Sequence, residues 1–147
     1  MEKRTAQEAL QHMRTFYTDN PFLGLLGVKI SEVSYGRVRL DVDISHKLTN
    51  VYHMAHGGIA MTLADTAAGA ACLTCNRRVV TLDCTLNYIK PIPEHSRIHA
   101  IGRVIHEGKH TMVCEADVLN EYDQLCVKFQ GTFFVIKEYT DTGDVEI

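Results

Sequence analysis

The stretch that decides the fold is His56–Leu73, HGGIAMTLADTAAGAACL. Beyond its glycine pair it is apolar or small on every side: Ile59, Ala60, Met61, Leu63, Ala64, Ala67, Ala68, Ala70, Ala71 and Leu73. A helix apolar all round is a buried helix rather than a surface one. Its alanines let neighbouring backbone, or a ligand, come close. One ionisable side chain stands inside it, Asp65, with no Lys or Arg three or four positions away to pair with. Unpaired buried carboxylates are expensive. Two readings fit Asp65: a structural carboxylate that faces a solvent channel or bonds a loop amide, and a catalytic one.

His56-Gly57-Gly58 opens the helix. The first N–H groups of a helix lack internal partners and carry the positive end of its dipole. Glycines there let a ligand reach the backbone. Such amides suit a phosphate, or the oxygen of a carbonyl turning negative during acyl transfer. HGG alone is a weak signal. With a lone aspartate two turns further on, it is a much stronger one.

Outward from the helix, the chain reads as one domain over 1–147. Thr5-Ala6-Gln7-Glu8 has the form of a capping box, followed by Leu10, Met13 and Phe16 or Tyr17 at helical spacing. That predicts a helix over 5–18, within an N-terminal segment 1–20 that ends before Pro21. Phe22–Gly27 reads as a lid-like turn over the core. Val28–Val33 and Arg37–Ile44 read as a hairpin, the second strand alternating Val38, Leu40, Val42 and Ile44 against Arg37, Arg39, Asp41 and Asp43. Ser45–Ala55 is polar and irregular. After the helix come a turn at Asn76-Arg77-Arg78, a long strand Val79–Ile89 stopped by the prolines of Lys90-Pro91-Ile92-Pro93, and strands Ser96–His106, Thr111–Asn120 and Gln124–Ile136. A polar tail, 138–147, closes the chain. The short connections make neighbours antiparallel. The fold class is α+β: one long buried helix wrapped by a curved antiparallel sheet, with surface left over for a second copy.

Composition excludes several classes. The chain has 147 residues, 46% of them hydrophobic and 22% charged, with a net charge of −3. That is ordinary for a globular protein, and no basic run points to nucleic acid. The N-terminus lacks the apolar core of a signal peptide, and no apolar run reaches membrane-spanning length. Five cysteines, an odd count, lie in segments that read as core. They fit a reduced, cytoplasmic protein.

Asn50-x5-His56-Gly57-Gly58-x4-Leu63-x-Asp65 resembles the motif of the hot-dog fold acyl-CoA thioesterases. It is most similar to the phenylacetate-pathway and 4-hydroxybenzoyl-CoA-type branch, which carries its acid on the central helix. The strand ending in Tyr88-x-x-Pro91 and the turn at His106-x-Gly108-Lys109 extend the resemblance over most of the chain. The resemblance implies hydrolysis of an acyl-CoA, aryl or medium-chain, to the free acid and coenzyme A. It implies that Asp65 activates water or attacks directly, that the Gly57 N–H polarises the thioester carbonyl, and that Asn50 helps to hold it. His56 would orient the thioester or support the loop, and Thr81 would bind the attacking water. Simple alternation, however, groups Thr81 with Asp83, Thr85 and Asn87, opposite Val80, Leu82, Leu86 and Tyr88, so only a β-bulge turns it inward.

Other signals are weaker. Cys72-x-x-Cys75 and His53-x-x-His56 lack a second ligand pair at matching spacing, so no metal site is expected. Cys84, Cys114 and Cys126 read as packing. No G-x-S-x-G elbow is present. Gly58, His53, Lys90 and Lys109 are the substrate-binding candidates; for Arg77, Arg78, Lys90 and Lys109, contact with the phosphates of coenzyme A competes with plain solvated charge. No cofactor is expected, because a thioester needs only water, a carboxylate and carbonyl donors. The rival readings are a hot-dog enoyl-CoA hydratase or dehydratase and a non-catalytic acyl-CoA-binding protein. Gly57 and Asp65 are eight residues apart, about 12 Å of helix rise, which favours a homodimer with shared sites. The resemblance implies that such dimers pair into a homotetramer.

Overall fold

The computed structural model describes residues 20–138 and, before them, Gln7, Glu8, Gln11 and Thr15. Those four are helical, and Thr15 Oγ1 donates to the Gln11 carbonyl at 3.0 Å. The rest of the helix expected over 5–18, including Thr5 and the apolar stripe, lies outside the described residues, as does the tail from 139 onward.

Phe22–Gly27 is not a bare turn. Pro21–Leu26 forms a short helix, α1, whose proline sits in the first turn, where a missing N–H costs nothing. Asn20 caps it by accepting from Leu23 N–H at 3.2 Å. Gly27, at φ 75°, ends it in the left-handed conformation. Leu26 packs against the core and Leu23 is buried, while Phe22 and Leu25 stay exposed.

The strands are β1 (Lys29–Ser34), β2 (Arg37–Asp43), β3 (Arg77–Tyr88), β4 (Arg97–Glu107), β5 (Thr111–Asn120) and β6 (Leu125–Glu138). They form one six-stranded sheet in the order β1-β2-β4-β5-β6-β3, antiparallel at every pairing. The expected turn at Asn76-Arg77-Arg78 is shorter: Asn76 alone takes φ 59°, and Arg77 already pairs in β3. In β2 the alternation holds, with Val38, Leu40 and Val42 buried.

The central helix, α2 (Gly57–Thr74), lies in the hollow of this sheet, the hot-dog arrangement. Its approach to β4 is close enough to demand glycine: a Cβ on Gly102 would stand 2.3 Å from the Ala67 carbonyl carbon and oxygen. Ala60, Leu63, Ala64, Ala67, Ala68 and Ala71 are buried against the strands. The helix is not covered on every side, though. Gly58, Met61, Thr62, Asp65, Thr66 and Gly69 keep exposure and recur at helical spacing, so one stripe remains open. No helix among the described residues is long and apolar enough to cross a membrane.

Candidate active site

The helix mouth is built by the loop that precedes it. Asn50 Oδ1 accepts from Tyr52 N–H at 2.9 Å and Met54 N–H at 3.3 Å. Two backbone donors fix which end of the amide is oxygen. The Asn50 Nδ2 donors therefore point away from the loop, and they have no partner among the described residues. The loop is anchored by Ala55 N–H to the Ile92 carbonyl (2.8 Å) and His56 N–H to the Leu48 carbonyl (2.9 Å). His56 caps α2 with its ring, Nδ1 accepting from Gly58 N–H at 2.8 Å. This bond braces the mouth and uses up the Gly58 amide. The Gly57 N–H keeps no acceptor among the described residues, which leaves it free for a carbonyl.

Two turns along α2, Asp65 is half-buried rather than sealed in the core. Thr81 Oγ1 lies 2.7 Å from Asp65 Oδ1. An ionised carboxylate only accepts, so the threonine hydroxyl donates and keeps its own lone pairs free. Alternation alone turned Thr81 outward; a bulge reverses it. In the pairing of β3 with β6, Thr81 faces Phe133 and Asp83 faces Thr132, leaving Leu82 as the extra residue. Before the bulge Val79 and Thr81 face α2; after it Cys84, Leu86 and Tyr88 do. Val80 and Leu82, expected on the inner face, are 49% and 58% exposed. Near this carboxylate, burial and the charges of Asp65 and Asp83 push the Cys84 thiol above its ordinary range. It stays a thiol, not a nucleophile.

The structure brings together Asp65 with Thr81, and His56 with Gly57, Gly58 and Asn50's loop. Asp65 and Thr81 line one cleft with Arg77, Arg78 and Phe133, whereas His56 and Gly58 line another with Phe22, Leu48 and Ile59. The candidate cations separate in the same way. Lys90 donates to Gln124 Oε1 at 3.0 Å near the helix mouth, and Lys109 stands exposed at the β4–β5 turn, the opposite end of the sheet. His53 sits at a loop tip against His46 and Glu94. Cys72 faces Cys114 at 3.2 Å instead of joining Cys75 in a cluster, and hydrogen bonding to Cys114 together with burial pushes its thiol up.

Residues 52–127 match the family model of the thioesterase superfamily. A putative esterase of Halobacterium salinarum is 31% identical over 90% of this chain and 96% of its own. The chain belongs to the thioesterase superfamily. Within it, the acyl-coenzyme A thioesterase PaaI of Escherichia coli is 25% identical over 86% of this chain and 90% of that protein. The E. coli PaaI structure superposes with a TM-score of 0.87 at 24% identity, covering 92% and 99% of the two chains, which supports the fold. A Streptococcus mutans protein solved with acetyl CoA bound gives a TM-score of 0.75 at 28% identity over 77% of this chain and 91% of that one.

One residue at the helix mouth was visible in the sequence only as a strand end. Tyr88 donates its hydroxyl to the Gly57 carbonyl at 2.9 Å. Its ring lies 3.3 Å from where a Gly57 Cβ would stand. The tyrosine thus holds the Gly57–Gly58 peptide, the one next to the peptide that carries the free Gly57 N–H. Simple alternation sets Tyr88 on the inner face with Leu86, as found, but gives no sign of the partner of its hydroxyl.

Proposed function

We propose that the chain hydrolyses an acyl-CoA thioester, with an aryl or medium-chain acyl group, to the free acid and coenzyme A. The observation that carries this reading is the Thr81–Asp65 hydrogen bond at 2.7 Å on an otherwise apolar helix. It aims a carboxylate into an open cleft and leaves the carboxylate's other oxygen and the threonine lone pairs for water. Asp65 takes a proton from that water as its oxygen bonds to the carbonyl carbon, or attacks the carbon itself. The Gly57 N–H and Asn50 Nδ2 stabilise the charge that builds on the carbonyl oxygen. On the first route the C–S bond then breaks, and the thiolate of coenzyme A leaves with the proton that Asp65 took. On the second the thiolate leaves an anhydride on Asp65, which water hydrolyses to the free acid, its proton going to the thiolate and the Asp65 carboxylate being restored. No metal or redox group is required by these steps. The PaaI relative, named an acyl-coenzyme A thioesterase, and the S. mutans neighbour with acetyl CoA support the substrate class.

The working unit is a dimer with shared sites, paired again into a tetramer, in the cytoplasm. Three features support the second copy. The stripe of α2 from Gly58 to Gly69 is open. Strand β3 is an edge twelve residues long with Val80 and Leu82 exposed on it, and such edges attract another chain. Asp65 lines one cleft, and His56 and Gly58 at the helix mouth line another. The cleft below α1, lined by Phe22, Leu26, Leu48 and Ile59, offers apolar room for the acyl group beside Gly58.

A thiol-release assay over acyl-CoAs of graded length and aromaticity tests the proposal. Saturable thiol release is expected for at least one aryl or medium-chain ester. Water addition to an enoyl-CoA without thiol release, or tight binding without turnover, overturns it.

A further inference from the structure

We propose that His46, His53 and Glu94 form a binding site for a divalent transition metal of the zinc type. The proposal is independent of the thioesterase reading. One nitrogen of each ring and a carboxylate oxygen lie within 4.8 Å of one another. His46 Nδ1 is 3.1 Å from Glu94 Oε1, and His53 Nδ1 is 3.6 Å from Glu94 Oε2. Zinc bonds of about 2.0–2.1 Å at tetrahedral angles put ligand atoms roughly 3.3 Å apart. The two separations, one to each carboxylate oxygen, lie on either side of that figure. With one atom per residue the three ligands lie within 4.8 Å, so the rings close further onto a bound ion.

The scaffold beneath the three side chains is fixed by its own hydrogen bonds. His46 opens a 3-10 turn, and its carbonyl accepts from both the N–H and the hydroxyl of Thr49, at 3.1 and 2.7 Å. His53 is held at φ 58°, with its N–H on the Asn50 carbonyl (3.1 Å) and its carbonyl accepting from Glu94 N–H (3.3 Å). His95, at φ 63°, donates its own N–H to the Ile44 carbonyl at 2.8 Å. Holding non-glycine residues at positive φ has a cost that this web of bonds must offset.

Solvent access separates the roles. The Glu94 side chain is 14% exposed, whereas those of His46 and His53 are 77% and 73% exposed. The carboxylate is therefore pre-placed, and two free rings can turn their nitrogens onto an ion above it. Among the described residues Glu94 has no Lys or Arg partner; its neighbours are three imidazoles, the third being His95, whose Nε2 lies 3.4 Å from Oε1. Imidazole with carboxylate suits zinc, nickel or copper, while magnesium and calcium prefer all-oxygen sites. A bound ion would clip the 46–53 loop, which carries Asn50, to the turn at Glu94.

The test uses tag-free protein stripped of metal by a chelator and titrated calorimetrically with Zn²⁺ alone. One Zn²⁺ per chain is expected, with a rise in melting temperature. His46→Ala, His53→Ala and Glu94→Gln should each weaken binding by about tenfold or more, since even the groups behind a metal ligand are worth roughly 10–100-fold. Circular dichroism checks that each variant folds, and Glu94→Gln keeps the size of the buried residue should the alanines disturb the loop. Co²⁺ substituted for zinc should give visible ligand-field bands without thiolate charge transfer. Three results overturn the site: no stoichiometric binding by the wild type, equal binding by folded variants, or a thiolate signal that assigns the metal to the cysteines.

Discussion

Thr81 donates to Asp65 at 2.7 Å from a strand whose simple alternation would turn it the other way. The single extra residue, Leu82, makes the contact possible. Removing the base while keeping the shape tests what the contact does. Asp65→Asn still accepts from Thr81, so the fold should hold, and thioester hydrolysis should fall by about 10²–10⁴-fold. Thr81→Val should slow turnover by less and leave the substrate's KM nearly unchanged. If Asp65→Asn unfolds and dies together, as followed by circular dichroism, the carboxylate is structural.

Gly57 and Tyr88 are tested as a pair. Tyr88→Phe deletes the bond to the Gly57 carbonyl but keeps the ring. It should lower kcat by a modest factor, about tenfold, as expected for a misaimed donor in place of a lost one. Gly57→Ala puts a methyl 3.3 Å from the Tyr88 ring, so the ring must shift by a few tenths of an ångström. Bulky acyl groups should suffer most from it. Asn50→Ala should slow all substrates alike. Substrate-independent losses of equal size in the two glycine and asparagine variants would refute this division of roles.

Gly102 sits where α2 meets β4. A methyl there would overlap the Ala67 carbonyl at 2.3 Å, which is backbone and cannot rotate aside. Gly102→Ala should destabilise the fold by about 1–3 kcal/mol or more, the usual range for overpacking. Urea unfolding measures it, and a loss well under 1 kcal/mol would mean that the helix lifts off the strand easily.

His99, 6% exposed, gives the stability a pH dependence. Burial, with Arg39 beside it, holds its imidazole below the ordinary value of 6.5. The unfolded chain then takes up the proton first, so the contribution is intact above 6.5 and is lost as pH falls toward the folded value. Unfolding at pH 7.5 and pH 5 should show a smaller acid loss for His99→Gln than for the wild type. Parallel losses would remove His99 as the cause.

The sequence revealed those parts of the fold that rest on periodicity. An apolar helix with one acid, and the clean alternation of Val38, Leu40 and Val42, identify a buried helix and a half-wet strand without coordinates. Three things were hidden, each for a physical reason. The bulge at Leu82 leaves no compositional mark, yet it decides the facing of Thr81, Val80 and Leu82. Phe22–Gly27 looked like a loop because its glycines and Pro21 suggest a break, but Asn20 and Gly27 are caps. The grouping of His46, His53 and Glu94 joins two loops distant in sequence. Spacing within one loop cannot show it.

The last prediction concerns where the two halves of the site meet. Asp65 and Thr81 open into one cleft, and His56 and Gly58 line another. Along α2 the eight residues from Gly57 to Asp65 span about 12 Å, while a reacting carbonyl needs its donors at about 3 Å and a water on the carboxylate. A single chain cannot satisfy both, whereas a two-fold neighbour laying its own Asp65 beside the first chain's helix mouth can. Each site would then take Asn50 and Gly57 from one copy and Asp65 and Thr81 from the other. Asp65→Asn and Asn50→Ala proteins, inactive or nearly so alone, are mixed, dissociated and reassembled. In a mixed dimer one site collects both mutations and the other collects neither. Random pairing makes half of the dimers mixed, so roughly a quarter of wild-type activity should return. With subunit exchange verified by mass-tagged chains, a mixture no more active than its parents would place Asn50 and Asp65 in one chain's site.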